Sequence, residues 1–216
     1  MSEIVLKSVN IAQPVALDPE RPEKLTGICK QPVQGAVRVH RLGAEGDVVL
    51  DTRHHGGPGQ ALYLYSSEDY AFWRAHEVTS AAGMFGENLT VSGIESANLC
   101  IGDRLAVGEV LLEVTSSRIP CATLAKRMGD PAFVKKFRDA GRPGAYLRVI
   151  SEGYIEAGQT LELIAFDGDR ITLGEHFALA FAANKNPLSR EMITRLLALP
   201  LAERDRADNL ERLAAL

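Results

Sequence analysis

Residues 110–127 read Val110-Leu-Leu-Glu-Val-Thr-Ser-Ser-Arg-Ile-Pro-Cys-Ala-Thr-Leu-Ala-Lys-Arg127. The first six residues, Val110–Thr115, are strand-like, and a short helix is predicted over Ala122–Arg127. Between them Arg118-Ile119-Pro120-Cys121 places a thiol at a strand exit, beside an arginine and ahead of a helix start. The thiolate is the nucleophilic and metal-ligating form of cysteine, and nearby positive charge and helix N–H groups favour it. Pro120 suits the first turn of that helix. The alternative reading of a lone cysteine is a small buried apolar residue.

Outward from this stretch, residues 1–166 read as short strands: Ile4–Ile11, Ala36–Arg41, Ala61–Tyr65, Arg104–Val107, Val110–Thr115, Tyr146–Ile150 and Thr160–Ile164. Gly, Pro and Asp clusters separate them, the spacing of a barrel or sandwich. Two helices interrupt: Ser67–His76, and Asp130–Ala140 with Asp130 as N-cap and Gly141 as terminator. The character changes near residue 168. Thr172-Leu-Gly-Glu175 matches a capping box, and helices follow over Glu175–Ala183, Arg190–Ala198 and Leu201–Leu213. The expected class is mainly β with helices: a domain over 1–166 and a three-helix appendage over 167–216. So small an appendage needs support from the first domain or from a second copy, so a homodimer is one expected assembly.

The chain has 216 residues, 46% of them apolar, with a formal net charge of -4. That balance does not favour nucleic acid or an anionic membrane surface. Three cysteines, Cys29, Cys100 and Cys121, are too few and of the wrong parity for a disulfide framework, which points to a reducing compartment. No signal peptide is apparent and no apolar run approaches the ~20 residues of a membrane span, so the expected location is the cytoplasm.

Arg53-His54-His55-Gly56-Gly57-Pro58-Gly59 gathers a cation, two imidazoles and a backbone able to approach a ligand closely. Adjacent histidines in an extended segment face opposite sides, and no histidine shows zinc-like spacing with the cysteines. The other reading of the pair is a hydrogen-bonded turn. Asn88, in Phe85-Gly-Glu-Asn-Leu-Thr90, carries donors and an acceptor suited to the edge of a heterocycle, or holds a tight turn. Cys100 reads as core. Lys30, Arg53, Arg118 and Arg142 offer a positive lining for a phosphate. Dinucleotide, P-loop and Gly-x-Ser-x-Gly motifs are absent, which leaves Cys121 as the nucleophile candidate.

Taken in order, Thr26–Val33, Leu42–Asp47, His55-Gly-Gly57, Phe85–Leu89, Ile101-Gly-Asp103, Arg118-Ile-Pro-Cys121, Gly141–Val149 and Ala157-Gly158 resemble the MOSC domain family, in particular its YiiM-like bacterial branch. The family is named after the C-terminal domain of molybdenum cofactor sulfurases. The resemblance implies a closed β-barrel of the pyruvate-kinase-insert type, a C-terminal three-helix segment and a molybdenum cofactor (molybdopterin). It makes Cys121 the thiolate ligand to molybdenum, flanked by Arg118 and Asn88. His55 and its glycines shape the pocket, His54 is a further cofactor-binding residue, Lys30 and Arg53 hold the pterin phosphate, and His54, His55 or water supplies protons. The implied activity is reduction of N-hydroxylated compounds such as hydroxylaminopurine-type bases, fed by a separate electron-transfer protein. A persulfide carrier acting through Cys121 and a non-catalytic cofactor carrier remain open. Where the family often has an acidic then a basic residue after His-Gly-Gly-x, this chain has Gly59 and Gln60.

Overall fold

A computed structural model describes residues 3–183 and 186–216. In chain order its strands are β1 (Ile4–Ile11), β2 (Val15–Ala16), β3 (Leu25–Thr26), β4 (Gln31–Pro32), β5 (Val37–His40), β6 (Gly43–Ala44), β7 (Leu62–Ser66), β8 (Leu89–Ser92), β9 (Arg104–Val107), β10 (Val110–Ser117), β11 (Ala145–Ser151), β12 (Gly153–Ile155) and β13 (Thr160–Ile164). Its α-helices are α1 (Ser67–Ala75), α2 (Ala122–Arg127), α3 (Phe133–Ala140), α4 (Leu173–Ala182), α5 (Arg190–Leu197) and α6 (Glu203–Ala214).

Seven strands run in the order β13-β9-β10-β11-β7-β8-β1, and β1 returns to β13 through Ile4↔Leu161, so the sheet closes on itself. Closure removes the exposed sheet edges that an open array would carry. All these pairings are antiparallel except β7 with β8. A short sheet, β12-β5-β6, and the β2–β3 hairpin lie outside the barrel.

Strand alternation builds two cores. In Leu62-Tyr-Leu-Tyr-Ser66 every residue is buried. Leu62 and Leu64 belong to the aliphatic barrel interior, together with Leu6, Val91, Leu112, Val114 and Leu147. Tyr63 and Tyr65 point the other way, into an aromatic layer under α1 and α3. There Tyr65 stacks on Phe85 at 4.5 Å, and Trp73 lies 5.0 Å from Phe133 and donates its indole N–H to the Tyr65 hydroxyl at 2.7 Å. The C-terminal helices extend the first core, because Leu173, Leu196, Leu199 and Leu201 pack within it.

Most expected elements form within two or three residues of their predicted bounds, and the Thr172–Glu175 capping box is present. Two caps differ. Asp130 does not cap α3: its Oδ1 accepts from Ala132 N at 2.8 Å in an Asx turn, its carboxylate pairs with Lys136, and the helix starts at Phe133. Pro120 lies just outside α2, whose N-cap is Cys121 itself. Gly141 ends α3 with φ 64°, the left-handed cap that glycine supplies.

Candidate functional site

Burial of β10 is continuous from Leu112 to Ser117, and the chain then turns abruptly. Arg118 stays buried, Ile119 faces solvent, and Cys121 caps α2 with extended backbone angles. The turn delivers the sulfur to a cleft lined by Cys121, Arg118, His55, Lys30, Tyr63 and Tyr146, with Gly27, Gly56 and Gly86 as close backbone walls. The cleft holds about 710 Å³ of atom-free space, of which about 120 Å³ can take the centre of a water molecule.

Burial alone would push the Cys121 thiol up. A hydrogen bond from His55, the charge of Arg118 and the Leu124 N–H outweigh it, and the thiol is held at about 6. His55 Nδ1 lies 3.3 Å from the Tyr146 hydroxyl. If that hydroxyl donates, Nε2 keeps its proton for the sulfur; this tautomer follows from the partners. Arg118 lies 4.9 Å over the Tyr63 ring and donates to the Phe85 carbonyl, and its Nε has no partner. Burial opposes its charge, but Tyr63, Tyr146 and Cys121 more than compensate, so it stays a cation. It is the one wall cation of the cleft without a carboxylate counter-ion among the described residues.

Lys30 has a different part. It is buried and ion-paired with Asp47, which also accepts from Asn88 Nδ2 at 2.8 Å and from Ala12 N at 2.8 Å. Burial pulls the Lys30 ammonium down and Asp47 resists. Asn88 in turn accepts from Tyr63 N at 3.2 Å and donates to Asn10 O at 3.3 Å. Its amide is therefore committed within the protein. It braces the wall between β1, β7 and β8, and its polar atoms are not free to read a heterocycle. Lys30 brings a cation whose charge is already matched.

The remaining sequence candidates lie elsewhere. Arg53 is exposed and does not line the cleft. His54 faces solvent, its Nδ1 3.0 Å from Asp51, so of the two histidines only His55 turns inward. Arg142 is held by Asp69 at 2.9 Å and lies over the Phe72 ring, away from the cleft. Cys100 is buried, as core. Three residues that sequence reasoning gave no role, Asp47, Tyr63 and Tyr146, prove central to the site. The Leu62–Tyr65 alternation could have put Tyr63 opposite the aliphatic face, but nothing in the sequence marks that face as a cavity wall.

Behind the loop that carries His55, α6 docks. A Cβ on Gly59 would fall 2.2 Å from Glu203 Oε2 and 2.9 Å from Ala202 Cα, so only glycine lets the helix start sit there. Ala202 N donates to Thr115 O at 3.3 Å, and Glu203 pairs with Arg148 at 3.3 Å. Among the described residues no group of three or more His, Cys, Asp or Glu could hold a metal ion, and no helix is long and apolar enough to cross a membrane.

Residues 51–162 match the MOSC domain family model. The chain is 39% identical over 161 residues to the uncharacterized protein YflK of Bacillus subtilis, covering 73% of this chain and 72% of that one. It is 35% identical over 147 residues, 66% of this chain, to a protein named Reductase from Gibberella moniliformis, of which the match spans 26%. The crystal structure of YiiM from Geobacillus stearothermophilus superposes with a TM-score of 0.79 at 27% identity, over 97% of this chain and 99% of that one. The matched segment runs from the His55 loop through Cys121 to the closing strand β13, and with these likenesses it establishes that the chain belongs to the MOSC domain family, as a YiiM-like member.

Proposed function

We propose that the chain is a molybdenum-cofactor-dependent reductase of N-hydroxylated compounds, with Cys121 as the protein's ligand to the metal. The observation that carries this reading is the low thiol pKa of Cys121 at the wall of a cleft. The residues present fit the group. A soft thiolate suits molybdenum bearing dithiolene sulfurs. Arg118, with an unpartnered buried Nε, suits an anionic ligand, and the glycine walls allow a flat ring system to come close. When bound, the cofactor supplies a two-electron redox centre, chemistry that no side chain here offers.

The chain's own contribution is electrostatic and protonic. Reducing an N-hydroxylated compound breaks one N–O bond, consumes two electrons and two protons, and releases the amine and water. His55, between Tyr146 and Cys121, is placed to hold a proton at Nε2. Arg118 favours negative charge on whatever lies against it, and its own burial strengthens that effect. The electrons require a separate electron-transfer protein. The reductase name of the fungal relative supports the reductive direction.

The test is Cys121→Ser on protein purified with its cofactor. Molybdenum content should fall to background, and reduction of a hydroxylaminopurine should drop at least about a thousandfold. Full metal occupancy with full activity would sink the proposal. A persulfide carrier uses the same activated sulfur; trapping a sulfane sulfur on Cys121 in protein that lacks molybdenum would select that reading instead.

A further inference from the structure

Most polar groups that line the Cys121 cleft already have partners inside the protein. Asn88 and Lys30 are engaged by Asp47, Thr26 Oγ1 accepts from Ile28 N at 3.2 Å, and the Tyr63 hydroxyl donates to Pro143 O at 2.8 Å. Gln60 is different. Its Oε1 is withdrawn from water and accepts no hydrogen bond, and its Nε2 donates none among the described residues.

The backbone beneath this side chain is fixed. Thr115 donates its hydroxyl to Gly59 O at 2.5 Å, and Gln60 N donates to Gly57 O at 3.0 Å. The amide is therefore anchored at its base and uncommitted at its tip. Leaving a buried carboxamide oxygen unpaired costs free energy that a ligand with an N–H group would recover. Rotation about the last side-chain torsion is soft, so either end of the amide can turn to the cleft.

Gln60 also borders a wider hollow on its other side, walled by Leu42, Val49, Pro58 and Ala202. That hollow takes the centre of a water molecule over about 730 Å³, and its apolar wall suits a flat ring. A planar amide presents a donor and an acceptor side by side. It matches a heterocycle edge where an N–H stands next to a ring nitrogen, as glutamine matches adenine. Thr123 brings a single hydroxyl oxygen to the cleft, and the Arg118 guanidinium only donates.

We infer that Gln60 is a specificity-determining residue that reads a cyclic N-hydroxyamidine: a heteroaromatic ring whose N-hydroxylated exocyclic nitrogen lies one carbon from a ring nitrogen. For the reacting group, this rests on the proposed reductase function. The ring lies against the apolar wall, the Gln60 amide spans the N–H and the ring nitrogen, and the N–O bond points toward Cys121 and His55. An aryl hydroxylamine without the ring nitrogen leaves one end of the amide unmatched, which counts against it.

Turnover of 6-N-hydroxylaminopurine and of phenylhydroxylamine by the cofactor-loaded protein tests this. The ratio of kcat/KM for the purine over the aryl hydroxylamine should fall at least about tenfold in Gln60→Met, mostly through KM for the purine. Gln60→Asn, whose amide is one methylene short, should lower the same ratio. Circular dichroism checks that each variant folds, and molybdenum content checks its loading. An unchanged ratio in a folded variant would overturn the inference. Loss of molybdenum from the variants would also overturn it, by making Gln60 a cofactor contact. Calorimetric titration with adenine, the amine product, separates the two readings. Binding at least about fivefold weaker to Gln60→Met than to wild type sustains the role of Gln60 even in a protein that reduces neither compound, a result that would sink the reductase reading alone. Equal affinities, or no binding of adenine to wild type, would overturn the inference.

Discussion

Both flanks of the β10 exit are withdrawn from solvent, His176 more fully than Cys121, yet they treat charge in opposite ways. On the cleft side, Cys121 is held at about 6, below its ordinary value near 9, although burial opposes ionisation. On the other side, Ser117 N and Oγ meet His176 Nδ1 at 3.4 and 2.9 Å, and His176 Nε2 lies 3.7 Å from Asp205. There burial wins: His176 is held down at about 4 and Asp205 up at about 6. The difference is the neighbours. Cys121 has a desolvated arginine and two N–H donors that outweigh burial, whereas the Arg212 charge adds to burial in holding His176 neutral, and at Asp205 burial and the Asp208 charge outweigh Ser116, Arg204 and Arg212. Burial fixes the strength of an electrostatic interaction, and the partner fixes its sign.

The sharpest way to break this contrast is to remove the arginine. Arg118→Met should raise the Cys121 thiol by about one to three pH units and slow turnover about a hundredfold. The pH dependence of iodoacetamide alkylation reads the first effect: a midpoint near 6 in the wild type, moved toward 9 in the variant. An unmoved midpoint would mean that the imidazole of His55 alone sets the thiol.

Acid tests the other flank. His176 is a base with a depressed folded pKa, so its contribution is complete above 6.5 and is lost as the pH falls toward 4. Asp205 is an acid with a raised folded pKa. It costs stability above about 6, and that cost disappears as the pH falls toward 3.8. The two trends offset each other in the wild type. Asp205→Asn removes the offset, so its melting temperature should fall between pH 6.5 and 4 by the equivalent of about 2 kcal/mol more than that of the wild type. Parallel curves for the two proteins would refute the opposed pair.

Gly59→Ala probes the docking of α6 behind the His55 loop. The Ala202 backbone cannot yield cheaply, so about 1–3 kcal/mol of stability should be lost, measurable by urea unfolding. The smallest effects belong to the solvent side: Arg53→Ala and His54→Ala should each change stability by less than about 0.5 kcal/mol and activity by less than about twofold. A large loss of activity in either variant would place the outer half of that loop in the site.

Much of the fold was legible because alternation and glycine punctuation are local signals: β1, β9 and β13 run over the residues predicted for them. The thiol at the β10 exit was legible for the same reason. The rest of the site depends on pairings across long sequence distances. Lys30, Asp47 and Asn88 lie before β4, after β6 and before β8 and meet only in the folded barrel, so Lys30 read as lining for a phosphate and Asn88 as either a heterocycle reader or a turn residue. Arg142 read as phosphate lining because its partner Asp69 lies 73 positions away. Asp130 matched a cap by composition alone, and a two-residue turn can use the same side chain.

Barrel closure has a consequence for biogenesis. The first strand finds its last partner only at Thr160 and Leu161, so during synthesis no closed cylinder exists until about three quarters of the polypeptide has left the ribosome. Such late pairing gives slow, non-local assembly with a long interval of unpaired strand edges. Messages truncated ahead of that point should yield aggregating fragments rather than smaller stable domains, and a nascent chain arrested there should be a strong client for chaperones.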